Sequence, residues 1–107
     1  MYNWHKAEGI SAAALQEHKI IELLIAEKRV ALVKNKDGIF VFTANCPHAG
    51  APFCNGWLDA RGVLVCPLHK YRFNMANGHN VSGEGYKLKT YPIEIRNDEI
   101  FIGLLSS

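Results

Sequence analysis

The most informative parts of the sequence are two short stretches, CPHAGAP at residues 46–52 and CPLHKYRFN at residues 66–74. Each begins with a cysteine, continues with a proline, and carries a histidine two or three positions after the cysteine. Proline fixes φ and favours a tight turn, in which a thiolate and an imidazole can face a common point. The sequence therefore predicts two pairs of metal ligands, Cys46 with His48 and Cys66 with His69.

Two kinds of metal centre use two cysteines and two histidines. One is a tetrahedral zinc site, and the other is a [2Fe–2S] cluster that has both histidines on one iron. Zinc sites usually keep like ligands together in the sequence, whereas each pair here mixes a cysteine with a histidine. The mixed pairs favour the dinuclear cluster, but the ligand types alone are also compatible with a zinc site.

The ligand pairs lie in a segment whose composition differs from the rest of the chain. Residues 45–85 hold most of the glycines, three of the four prolines and all three cysteines. Long loops without regular structure are uncommon unless a ligand orders them. We therefore expect a loop-rich cluster-binding subdomain, at about residues 45–85, within a single domain that spans residues 1–107.

Outside that segment the sequence is typical of β-strands. Apolar and β-branched residues predict strands at 20–26, 29–33, 39–43, 63–65, 91–95 and 100–102. Turn residues at 35–38 and 97–98 predict hairpins, and Ser11 is expected to cap a short helical turn over residues 12–16. The expected fold is all-β, with an antiparallel sandwich or barrel-like base.

The two cysteine stretches resemble those of the Rieske ferredoxin and Rieske-oxygenase family, whose pattern is C-x-H followed by C-x2-H. Gly56 and the pair at residues 91–92 also match that family, and the resemblance covers roughly residues 4–104. It implies the Rieske fold and one [2Fe–2S] cluster per chain. Cys46 and Cys66 would hold the inner iron, while His48 and His69 would hold the outer iron near the surface.

Departures from the respiratory branch of that family imply a low reduction potential. Ala51 and Leu68 stand where that branch has two disulfide-bonded cysteines, and Tyr71 and Phe73 stand where it has a serine and a tyrosine that donate to the cluster. A lost hydrogen bond of about 1.4 kcal/mol corresponds to about 59 mV for one electron. The potential is therefore expected near the low end of the roughly −150 to +300 mV Rieske range.

The loop expected to cover the cluster and the charges near it allow further, smaller predictions about its exposure and its reduction. The stretch at residues 82–85 lacks the proline usual in that family, which predicts a looser cover over the cluster. Glu84 would disfavour reduction if it lies close. Lys70 and Arg72 would favour reduction, although solvent screens exposed charges, and they could form a positive collar for an acidic redox partner.

Composition excludes several classes of protein. The formal charge is +2 in 107 residues, without a run of like charges, so neither nucleic acid nor a membrane surface is an expected partner. The chain starts without a signal peptide pattern and has no membrane-length apolar run. Three cysteines suit metal ligation in a reducing compartment, which predicts a cytoplasmic protein.

The expected function is that of a one-electron carrier rather than an enzyme, working between a reductase and a terminal oxygenase. The alternatives are a small subunit of a larger oxidoreductase, such as nitrite reductase, and a zinc-stabilised interaction module. Four other chemically active side chains are expected to stay outside the site: Cys54, His5, His18 and His79. Four apolar residues are expected to form a small core under the cluster rather than a docking patch: Phe53, Trp57, Leu58 and Phe73.

Overall fold

Three antiparallel sheets make up the computed structural model, which describes residues 2–47, 50–68 and 70–105. The terminal sheet joins β1 (Tyr2–Lys6), β10 (Glu99–Leu105) and β9 (Ile93–Arg96). The central sheet joins β2 (Ile21–Ile25), β3 (Lys28–Asn35), β4 (Gly38–Thr43) and β8 (Thr90–Tyr91). The small sheet joins β5 (Trp57–Leu58), β6 (Leu64–Val65) and β7 (Arg72–Phe73), and a 3-10 turn at Phe53–Asn55 precedes it. The expected all-β antiparallel fold is confirmed.

The two middle strands of the central sheet, β3 and β4, are buried on both faces, which explains their nearly continuous apolar sequences. Successive side chains of a strand point to opposite faces. In β3, Val30 and Leu32 therefore join the core shared with the terminal sheet, while Ala31 and Val33 join the core shared with the small sheet. The small sheet thus rests on a fully packed base.

The two predicted hairpins are confirmed. Between β3 and β4, the side-chain oxygen Oδ1 of Asn35 accepts the backbone N–H of Asp37 at 2.8 Å, an Asx turn. Between β9 and β10, Asn97 and Asp98 adopt φ values of 50° and 66°, which suit a two-residue turn between twisted strands.

Strand β1 was not predicted, because its side chains are mostly exposed and show no apolar alternation. It nevertheless pairs with β10 along its whole length, from Tyr2 opposite Leu105 to Lys6 opposite Phe101. The predicted strand at 91–95 is divided by Pro92, which has no N–H to donate. Within the described ranges, no helix is long and apolar enough to cross a membrane.

The expected helical turn after Ser11 is wrong. Residues 12–14 form turns, in which the carbonyl of Ser11 accepts the N–H of Ala14 at 3.2 Å. The N–H groups of Ala12 and Ala13 donate instead to the backbone oxygen and to Oδ1 of Asp98, at 3.0 and 2.8 Å. The N–H groups at the start of this turn are thus capped by Asp98, which is 85 residues from Ala13 in the sequence. The local sequence gives no signal for such a distant partner.

The turn between β2 and β3 offers a route to a more stable protein. Ala26 and Glu27 have φ values of 46° and 68°, a region costly for residues other than glycine and asparagine. Replacing the pair by Asn-Gly is expected to raise the free energy of unfolding by about 1–2 kcal/mol, measured from urea unfolding. The reciprocal variant Asn97→Ala should lower it, and an unchanged midpoint for Asn-Gly would contradict the strain argument.

Candidate metal centre

The first cysteine lies in a loop whose two sides are held together by backbone hydrogen bonds. The N–H of Phe53 donates to the carbonyl of Ala44, and the N–H of Cys46 donates to that of Ala51, both at 2.8 Å. The N–H of Gly50 closes the loop on the carbonyl of Cys46 at 2.8 Å. These three hydrogen bonds fix the backbone of Cys46 within the loop.

The second cysteine follows the last residue of β6, in the β6–β7 hairpin. Leu64 is opposite Phe73 and Val65 is opposite Arg72. The ladder continues one step further, because the N–H of Cys66 donates to the carbonyl of Tyr71 at 2.8 Å. Two hairpin-like loops thus present one cysteine each.

The two thiols meet in the interior. Cys46 is 2% exposed and Cys66 is 0% exposed, and both belong to the core beneath the small sheet. Burial raises the pKa of the Cys66 thiol, and the neighbouring Cys46 side chain raises it further, while the N–H of Leu68 lowers it. Two adjacent thiols in a dry site ionise readily only when a cation compensates their charge, so the pair fits a bound metal group.

The histidines predicted to complete the ligand set, His48 and His69, lie outside the described residues. In the described part of the chain, no three metal-binding side chains come together. The structure therefore brings Cys46 and Cys66 together, and the four-residue set stays a prediction.

An aromatic cluster supports the site from below. The Phe53 ring stands edge-on to Phe42 and Phe73, with centroids 5.5 and 6.1 Å apart and interplanar angles of 89°. Leu58 packs against the same core. The small core is thus confirmed for three of its four residues and wrong for Trp57, which is 43% exposed. Trp57 and Leu58 are adjacent in β5, so they point to opposite faces.

Gly56 allows β5 to pass close to the backbone that leads into Cys66. A Cβ atom on Gly56 would lie 2.3 Å from the carbonyl oxygen of Val65 and 3.3 Å from Cδ of Pro67. Both contacts flank Cys66 in the sequence. Glycine at this position therefore sets how closely the two sides of the site pack.

The covering loop is tied to β7 where a looser cover was expected. The backbone of Arg72 accepts the N–H of Val81 at 2.9 Å and donates to Oγ of Ser82 at 3.0 Å. Glu84 lies in the same network: hydrogen bonds from Ser82 and Asn80, with the charge of Arg72, hold its pKa below the usual value. Asn80 was missed, because a lone asparagine in a loop gives no sequence signal.

Three exposed side chains border the cysteine loops. Leu68 is 45% exposed, and Lys70 is exposed with a left-handed φ of 58°. Cys54 is also exposed and forms no disulfide. Arg72 is only half-exposed and acts on Glu84, so Lys70 is the more exposed of the two cations that flank the second cysteine loop.

Comparison with known proteins gives a consistent result. The sequence model of the Rieske [2Fe–2S] domain matches residues 4–92. The ferredoxin component of the naphthalene 1,2-dioxygenase/salicylate 5-hydroxylase systems of a Ralstonia species is 30% identical over 104 residues, covering 94% of each chain. The ferredoxin component of the Xanthobacter autotrophicus alkene monooxygenase system is 27% identical over 79 residues, which is 74% of this chain but only 65% of that protein.

A solved structure shares the fold along the whole chain. It is described as the small subunit of an NADH-dependent nitrite reductase from Mycobacterium tuberculosis, and it superimposes with a TM-score of 0.87. The superposition covers 100% of this chain and 99% of that one, at 19% sequence identity. At this identity the likeness speaks for the fold alone.

Proposed function

Because this chain belongs to the Rieske [2Fe–2S] domain family, we propose that it carries single electrons from a reductase to a terminal oxygenase. The family binds one [2Fe–2S] cluster per domain, which takes up and releases one electron at a time. Relatives that are ferredoxin components of oxygenase systems support this role. One of them aligns over nearly the whole of both chains, so the similarity extends over nearly the full length of a ferredoxin component.

The observation that carries the proposal is the meeting of two buried thiols from two separate loops. We assign Cys46 and Cys66 to the inner iron, and His48 and His69 to the outer iron. The residues at about 45–85 would then act as the cluster-binding subdomain. The aromatic cluster of Phe42, Phe53 and Phe73 excludes water beneath the thiols, and the N–H of Leu68 supplies a hydrogen bond to the Cys66 sulfur.

The surroundings support a low potential for a Rieske centre. Phe73 is fully buried in an aromatic contact and has no hydroxyl group to donate to the cluster. Leu68 cannot form the disulfide that links the two loops in the respiratory branch. We also place the carrier in the cytoplasm, because its three cysteines are all free, as suits a reducing compartment.

Spectroscopy on freshly purified protein tests the proposal. We expect two irons and two sulfides per chain, visible bands that bleach with dithionite, and a reduced-state EPR signal with a lower average g than an all-cysteine cluster gives. Iron, sulfide and zinc are assayed on the same sample. One zinc per chain and no visible bands, from cells grown with ample iron, would instead establish a zinc-stabilised module.

A second candidate function is that of a small subunit of a nitrite reductase. It is suggested by the fold that this chain shares with the Mycobacterium tuberculosis protein. Partner assays separate the two candidates. A free carrier should pass electrons from a flavin-containing oxygenase reductase to a soluble acceptor at low protein concentration. A subunit should instead co-purify with a larger catalytic chain and gain activity only in that complex.

A further inference from the structure

We propose that Asn80 clasps the loop after β7 and holds the Glu84 carboxylate where its charge opposes reduction of the cluster. The Asn80 clasp consists of the side chains of Asn80, Ser82 and Glu84, of which Asn80 and Ser82 bond to the backbone of Arg72 and both bond to Glu84. The inference rests on the proposed function, since it concerns how this chain sets the potential of the cluster.

The Asn80 side chain forms hydrogen bonds through both the nitrogen and the oxygen of its amide group. Its Nδ2 donates to the carbonyl of Arg72 at 3.1 Å and to Oε1 of Glu84 at 2.9 Å. Its Oδ1 accepts the N–H of Gly85 at 3.1 Å and also the N–H of Glu84. One side chain therefore fixes both the backbone and the carboxylate of Glu84.

Ser82 completes the clasp. Its hydroxyl donates to the Glu84 carboxylate and accepts the N–H of Arg72 at 3.0 Å. Asn80 donates to the carbonyl of Arg72 and Ser82 accepts its N–H, so the loop is joined to β7 through both backbone polar groups of one residue. Arg72 is opposite Val65, the residue before Cys66, so the clasp is anchored on the hairpin that carries a proposed ligand.

The carboxylate stays ionised and lies within electrostatic reach of the proposed cluster. Hydrogen bonds from Ser82 and Asn80 lower the pKa of Glu84. The clasp is bonded to the backbone of Arg72, and the carbonyl of the adjacent Tyr71 accepts the N–H of Cys66 at 2.8 Å, so the carboxylate is fixed beside the strand pair that carries the proposed ligand Cys66. Reduction adds one negative charge to the cluster, so a fixed carboxylate at this position disfavours reduction.

The positive charge of Arg72 opposes the effect that the negative charge of Glu84 has on the reduction potential. The guanidinium lies close enough to lower the pKa of Glu84, so it offsets part of the negative charge. Neutralising Glu84 alone leaves the positive charge unbalanced beside the β6–β7 hairpin. The local charge therefore rises by one unit, which makes reduction easier.

The first experiment is a redox titration of the holoprotein with Glu84→Gln, which removes the charge and keeps the shape. We expect the equilibrium constant for reduction to rise three- to tenfold, which is about 28 to 59 mV for one electron. Glu94→Gln is the matched control, because Glu94 also pairs with an arginine, Arg96, at 2.7 Å but lies on β9 in the terminal sheet. It should leave the potential unchanged.

The second experiment separates positioning from charge. Asn80→Ala should raise the exchange rates of the Val81, Glu84 and Gly85 amides, followed by hydrogen exchange and mass spectrometry, and should raise the potential less than Glu84→Gln does. If Asn80 acts through Glu84, the double variant should show the potential of Glu84→Gln alone. Asn80→Ser serves as a second, smaller change if the alanine variant folds poorly.

Equal potentials for Glu84→Gln and Glu94→Gln would overturn the inference, as would additive shifts in the double variant or unchanged amide exchange in Asn80→Ala. These results leave the proposed function intact, since the wild-type protein would still hold and reduce its cluster. A wild-type protein without iron would contradict the proposed function itself, and the charge effect with it.

Discussion

Replacing Cys66 by serine is expected to remove the cluster altogether. Serine is nearly the size of cysteine, but its hydroxyl does not ionise as a thiol does and is a poor ligand for iron held by thiolates. Among the described residues, no third metal-binding side chain joins Cys46 and Cys66 and could replace the lost thiol. Purified Cys66→Ser should carry at least about tenfold less iron than the wild-type protein and lose its visible bands, as measured by iron assay and absorption spectroscopy.

Cys54→Ser is the matched control for this loss. Cys54 lies between the two ligand stretches but is exposed in the 3-10 turn at Phe53–Asn55, so its replacement should leave iron content and spectrum unchanged. Equal iron in Cys66→Ser and wild type would contradict the assignment of Cys66. Iron lost from Cys54→Ser would point to a ligand role for the exposed thiol.

Gly56→Ala is expected to destabilise the fold and loosen the cluster together. The added Cβ would lie 2.3 Å from the carbonyl oxygen of Val65, which is backbone and cannot swing aside. We expect the free energy of unfolding to fall by about 2–3 kcal/mol, measured by urea unfolding. Since the displaced carbonyl directly precedes Cys66, the variant should also lose its cluster to an iron chelator faster than the wild-type protein does.

Gly83→Ala separates this steric effect from backbone strain. Gly83 has a φ of 90° but open space around its Cα, so an added methyl group costs only the strain of an unfavourable φ, about 1 kcal/mol. Gly56 has a negative φ of −90°, where alanine is comfortable. If Gly56→Ala lowers the free energy of unfolding no more than Gly83→Ala does, then β5 can move away from Val65 at little energetic cost.

The sequence was most informative where structure follows from a few neighbouring residues. The Asn35 and Asn97 turns were predicted because asparagine adopts turn conformations locally. The strand predicted at 39–43 is also confirmed, and its side chains alternate between the two cores: Phe40 and Phe42 lie toward one, and Ile39 and Val41 toward the other.

The features that could not be predicted from the sequence depend on partners that are distant along the chain. The pairing of β1 is set by β10, and the amides of Ala12 and Ala13 are satisfied by Asp98. For the candidate site, the motif identified Cys46 and Cys66, which the structure brings together in the interior. Asn80 was missed because its role exists only through bonds to Arg72 and Glu84, and the predicted burial of Trp57 ignored which side of a two-residue strand it occupies.

The pairing of β1 with β10 also constrains when the protein can fold during synthesis. Tyr2 pairs with Leu105, so β1 cannot pair until β10 has been synthesised, whereas the central and small sheets need no residue beyond Tyr91. Contacts between such distant residues form slowly, because a long loop must close first. On the ribosome, both cysteines can therefore reach their positions while β1 is still without a partner and exposed to chaperones.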